Sequence, residues 1–122
     1  MRNLISIVEI PTTDFSRAVH FYQTILDITI EEVDMDGTQM GVFPSDGETV
    51  NVALVKGSGY KPTSDGAVLY LKAGNDLQPM LEKISRNGGQ IIVQKTPITP
   101  EMGFFALFMD TEGNKLGLHS AQ

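Results

Sequence analysis

Two side chains able to move protons stand at strand-like positions in this chain of 122 residues. Glu9 lies inside an otherwise apolar run, and His119 closes the last one. A carboxylate enclosed by apolar strand residues becomes a stronger base and suits proton abstraction. An imidazole titrates near neutrality and serves as acid, base or ligand donor. Tyr70 adds a ring for stacking and a hydroxyl donor, and Asn51 an amide. Each has a plainer role open to it. Glu9 fits a structural carboxylate bonded to backbone or a nearby loop, His119 a strand-end hydrogen bond, and Tyr70 a core ring with a wet tip. His20 falls on the solvent side of a helix. The chain has no cysteine, which removes disulfides, thiolate metal sites and cysteine nucleophiles together.

The elements that must position these residues occur twice. Leu4–Ile10 is apolar and β-branched, as strands are. Asp14 is a candidate N-cap, and Phe15, Ala18, Val19, Tyr22, Ile25 and Leu26 recur with helical spacing. Strands are expected at Ile28–Asp34, Thr38–Phe43 and Thr49–Val55, with turns at Asp36-Gly37 and Asp46-Gly47. The order then restarts with a strand at Ala67–Ala73. Leu77, Met80, Leu81 and Ile84 form a second helix face, which Asn87-Gly88-Gly89 ends. Strands at Gln90–Gln94, Phe104–Met109 and Asn114–His119 complete the set.

This predicts an α+β fold of two tandem βαβββ modules in one domain. The first spans about residues 1–56, a connection covers 57–65, and the second spans 66–122. Two four-stranded sheets, each backed by a helix, would pair edge to edge as an eight-stranded open cup. A ferredoxin-like alternative would place its second helix after the third strand, not after four. Strand alternation puts Val8, Ile10, Val52, Leu54, Leu69, Leu71, Leu116 and Leu118 toward the helices. It puts Ile7, Glu9, Asn51, Ala53, Val55, Val68, Tyr70, Lys115, Gly117 and His119 toward the cup. This second set is smaller and more polar, as a pocket requires. Tyr60 in the connection and Met102, Phe104 and Phe105 in the segment 100–105 would form its rim, or a dimer interface. Asp110–Asn114 has the length of a tight turn, too short for an EF-hand loop.

The net charge of −6 without a Lys/Arg cluster argues against nucleic acid as a partner. No apolar run reaches the length of a membrane span, and no secretory leader is read at the start. A cytoplasmic protein is expected.

In this order, Glu9–Asp14 (EIPTTD), Arg17-Ala18, Phe21-Tyr22, Ala53–Gly57 (ALVKG), Gly59–Pro62 (GYKP), Asp65-Gly66, Gly88-Gly89, Lys95–Pro97 (KTP), Asp110–Asn114 (DTEGN) and Leu118–Ser120 (LHS) resemble the vicinal-oxygen-chelate superfamily. That superfamily includes glyoxalase I, bleomycin-resistance proteins and extradiol dioxygenases. The likeness is greatest to its small bacterial branch described as enzymes related to lactoylglutathione lyase. The resemblance implies four metal-ligand positions, which fall here on Ile7, Ala53, Val68 and Gly117. None carries a nitrogen or oxygen donor, so no metal and no cofactor is expected. The implied function is a metal-free small-molecule binder that works as a homodimer. Its ligand set would be Ile7, Asn51, Ala53, Tyr60, Val68, Tyr70, Phe104 and Gly117. The alternative is a lyase or isomerase using Glu9, His119 and Tyr70 as an acid–base site. A third possibility is a partner domain with a collapsed cup.

Overall fold

The computed structural model describes residues 4–47 and 50–122. The chain runs β1 (Ile7–Pro11), α1 (Phe15–Leu26), β2 (Glu31–Met35), β3 (Thr38–Val42), β4 (Asn51–Lys56), β5 (Tyr70–Lys72), α2 (Gln78–Arg86), β6 (Gln90–Pro97), β7 (Phe104–Met109) and β8 (Lys115–Ser120). This is βαβββ twice. Each module makes a four-stranded sheet of the same design, ordered β1-β4-β3-β2 and β5-β8-β7-β6. In both, the first strand lies parallel beside the last and forms the edge, while the remaining pairs are antiparallel. No backbone ladder among the described residues joins the two sheets.

Local chemistry explains the helix ends. The Asp14 carboxylate accepts from the Arg17 backbone N–H at 3.1 Å, and Asp27 closes α1 in the left-handed conformation. Pro79 is tolerated because it lies in the first turn of α2. Gly88 adopts φ 98° where the chain leaves that helix. Several strands shift by a few residues from their expected bounds. The expected Ala67–Ala73 strand shortens to Tyr70–Lys72, and Gln90–Gln94 extends to Pro97. Thr49, the expected first residue of the fourth strand, lies outside the described residues.

One core serves both modules. Ile10, Leu54, Leu116, Leu118, Ala106 and Phe108 from the sheets meet Phe15, Phe21, Tyr22 and Ile25 of α1 and Leu81 and Ile84 of α2. Val8, Val52, Leu69 and Leu71 pack against its margin. The alternation expected for β1, β4, β5 and β8 therefore holds. Phe21 of α1 comes within 6.4 Å of Phe108 of β7, centroid to centroid, so the first helix packs against the second sheet.

The turn between β7 and β8 is the joint between modules. Asp110 shapes it, accepting from the Glu112 and Asn114 backbone N–H groups at 2.8 and 2.9 Å. Its other oxygen takes the buried Tyr22 hydroxyl at 2.6 Å and the Asn114 amide at 3.0 Å. Asn114 also donates to the Pro11 carbonyl at the end of β1. Burial first, then the Asp110 charge, pushes the Tyr22 pKa well above the usual tyrosine value, so this hydroxyl remains a donor. Tyr22→Phe removes one donor from a buried carboxylate that keeps three others. It should lower the unfolding free energy by roughly 1–3 kcal/mol in urea denaturation. A change within error would mean that the joint does not hold the modules.

Candidate ligand site

The first strand of each module is an edge strand, and the space between them is open. A cavity of ≈ 580 Å³ lies there, within the range of small-molecule sites. One wall is β1 with its lead-in, from Ile5 through Pro11. The other is Thr63, the run Gly66–Leu69 before β5, and Asn114–Leu116 at the start of β8. Both modules thus contribute to a single hollow, and most of its wall is apolar.

The repeat makes corresponding positions visible. Glu9 lies opposite Ala53 in the first sheet, and Tyr70 opposite Gly117 in the second. Ile7 and Val68 each stand two residues earlier. Ile7, Glu9 and Val68 line the cavity. Asn51 is exposed opposite Ile7, and Ala53 is buried beside Glu9.

Glu9 is exposed to solvent, not enclosed among apolar strand residues as expected. Its carboxylate accepts the Tyr60 hydroxyl at 2.9 Å, which ties the connecting loop to β1. That hydrogen bond, then burial, then the Glu9 charge, raises the Tyr60 pKa. The structural alternative for Glu9, a bond to a neighbouring loop, is the contact observed.

A second group of expected residues gathers on the outer face of the second sheet. The Tyr70 ring packs edge-on against Phe105 at 6.4 Å and covers Gly117. A Cβ at Gly117 would stand 2.5 Å from two carbons of that ring. His119 lies opposite Phe105, with Nε2 bonded to the Met102 carbonyl oxygen at 2.5 Å. A carbonyl only accepts, so Nε2 carries the hydrogen there and is spent on the loop. Phe104 departs from its expected place on the rim. It packs against the core, as strand alternation with Ala106 and Phe108 requires, and Lys95 Nζ lies 4.6 Å from its ring centre. Phe105 is the aromatic that shares a face with Tyr70.

The four positions that the resemblance assigned to metal ligands do not fit an ion. Ile7, Ala53 and Val68 end in hydrocarbon, and the space above Gly117 is filled by Tyr70. Among the described residues, no three His, Asp or Glu side chains are grouped to hold a metal. The buried carboxylates Asp110 and Glu112, with Tyr22, were not picked out as a set by sequence reasoning. The only available signal was a polar turn sequence, DTEGN, and the tyrosine on the apolar face of α1.

Comparison with known proteins decides the family. The description "Glyoxalase/Bleomycin resistance protein/Dioxygenase superfamily" matches residues 4–118. The chain belongs to that superfamily. A glyoxylase-like domain-containing protein of Didymella fabae is 32% identical over 120 residues, covering 90% of this chain and 88% of that one. The fold is shared with a glyoxylase/bleomycin resistance protein/dioxygenase domain from Frankia sp. EAN1pec, at TM-score 0.76 and 18% identity over 100% of both chains. It is also shared with the V278E mutant of Zea mays glyoxalase I, at TM-score 0.74 and 23% identity. That match covers 95% of this chain and only 45% of the maize enzyme. Among the described residues no helix is long and apolar enough to cross a membrane.

Proposed function

We propose that this superfamily member binds a small organic molecule in the hollow between its modules, without a metal held at the four family positions. The observation that carries this reading is the pairing of a ≈ 580 Å³ cavity lined by both modules with hydrocarbon at Ile7 and Val68 in its wall. The other two positions, Ala53 and Gly117, offer no donor either. Apolar walls favour a ligand with an apolar body, and the few polar groups would orient it.

An acid–base lyase or isomerase would need Glu9, Tyr70 and His119 around one ligand. Glu9 belongs to the cavity, whereas Tyr70 and His119 are engaged with Phe105 and Met102 on the second sheet. The binding reading needs none of that convergence.

Self-association and a cytoplasmic setting belong to the same proposal. Val33 and Met35 stand exposed on the outer face of the first sheet, and a second copy of the chain would cover them.

The test is thermal stabilisation against a metabolite and antibiotic library and, separately, against nickel and zinc. Stabilisation by an organic compound, abolished by Val68→Trp, is the expected result. Compounds carried in a saturated complex at 100 times Kd should add about 2.7 kcal/mol of stability. Stabilisation by nickel or zinc, with turnover of a hemithioacetal, would overturn the proposal.

A further inference from the structure

Two residues of opposite charge line the cavity, one from each module. Glu9 comes from β1 and Lys115 from the first residue of β8. By strand parity both lie on faces turned away from the core: their neighbours Val8, Ile10 and Leu116 point inward. The two charges do not neutralise each other. The ion pairs among the described residues are Arg17–Glu112 and Lys95–Asp76. Among the described residues, Glu9 is held only by the neutral Tyr60 hydroxyl, and the Lys115 ammonium has no ion-pair partner.

A carboxylate and an ammonium kept apart across an apolar hollow define a complementary guest. It carries an ammonium for Glu9, a carboxylate for Lys115, and an apolar body against Ile5, Ile7, Val68 and Leu69. The shape of the first wall narrows the class further. Five consecutive residues of β1, Ile7 to Pro11, all line the cavity, although alternate residues of a strand point to opposite faces. The strand therefore turns its edge toward the hollow, and β1 is the terminal strand of its sheet. An edge strand offers unpaired N–H and C=O groups to an added amide.

We infer that the cavity binds a zwitterionic apolar dipeptide, its amino end at Glu9, its carboxylate at Lys115 and its amide against the edge of β1. This rests on the small-molecule reading above and names the ligand class for that site.

Isothermal titration with leucyl-leucine, N-acetyl-leucyl-leucine and leucyl-leucine amide tests it on the full chain. Leucyl-leucine should bind, and each capped form should bind roughly tenfold or more weakly, the worth of one lost charge contact. Glu9→Gln should weaken the free dipeptide and the amide, but not weaken the N-acetyl form further. Lys115→Met should do the converse. The doubly exchanged Glu9→Lys, Lys115→Glu chain should recover binding lost in either single exchange. Equal affinity for all three compounds would overturn the inference, because the hollow would then recognise only apolar bulk. A chain that binds the amphiphilic dye 8-anilinonaphthalene-1-sulfonate, loses it on Val68→Trp, yet ignores leucyl-leucine would also overturn it. That outcome leaves the small-molecule reading standing. Failure to bind either the dye or the dipeptide sinks both.

Discussion

Phe108→Ala should lower the unfolding free energy by roughly 3–5 kcal/mol, a large share of the ~5–15 kcal/mol that holds a typical domain. Phe108 is fully buried on β7, where it faces Leu116 across the ladder. Its ring lies 6.4 Å from that of Phe21, which in turn meets Tyr22 edge-on at 5.0 Å. Truncation would leave a void at the seam between α1 of one module and the sheet of the other. Its walls belong to two modules, α1 of the first and the sheet of the second, so neither can close the gap without moving the joint at Asp110. Urea denaturation followed by far-ultraviolet circular dichroism and tyrosine fluorescence measures the effect. Both probes should report one shared transition in the native chain and in the variant. Two separated transitions, or a loss below about 1 kcal/mol, would show that the modules are stable apart and that the shared core is not what unites them.

The second large effect is expected at Glu112. This side chain is fully enclosed, while its partner Arg17 keeps half its surface exposed. One carboxylate oxygen accepts from the Thr13 and Asp14 backbone N–H groups at 2.8 and 2.6 Å. The other accepts from Arg17 Nε and the Thr111 hydroxyl, both at 2.8 Å. Glu112→Ala would leave two backbone donors at the entrance of α1 without their acceptor. The cost should be about 2–4 kcal/mol at neutral pH, since a charge-assisted, enclosed set of bonds is lost. Burial by itself would raise the Glu112 pKa. The bond from Arg17, those from Asp14 and Thr13, and that from Thr111 outweigh burial and bring the pKa below the usual glutamate value. A pKa lower in the folded than in the unfolded chain gives stability that is present above the unfolded value of about 4.3. That stability fades as pH falls through the folded pKa. The gap between the native chain and Glu112→Gln should therefore be full at neutral pH and narrow below about pH 4. A gap that stays constant down to pH 3 would refute the role given to the Glu112 charge.

These two residues also bear on binding. The Asp110–Asn114 turn holds α1 at Glu112 and the end of β1 at Asn114, and β1 is one wall of the hollow. A loosened joint would let that wall shift, so affinity should fall along with stability. The side chains of Glu9 and Lys115 make none of the hydrogen bonds of this joint, and their substitution should change affinity while leaving unfolding nearly unaltered.

The paired modules were readable from Leu4 to His119 because hydrophobic period is a local property. Alternation in β1, β4, β5 and β8 and the helical spacing of Phe15 to Leu26 each span a few residues, and each already states which face must be buried. The same alternation placed Ile7, Glu9 and Tyr70 away from the helices, and the lack of donors at Ile7, Ala53, Val68 and Gly117 needs no coordinates at all. Only the tertiary structure decided what those faces meet. Glu112 binds Asp14 across a separation of 98 residues, and Tyr22 binds Asp110 across 88, distances at which pattern carries no information. It also decided that Glu9 reaches solvent beside Tyr60, that Tyr70 fills the space over Gly117, and that Lys115 shares a hollow with Glu9. Periodicity says which side of a strand is apolar. Which other strand edge stands across the gap depends on how two sheets pack around one core.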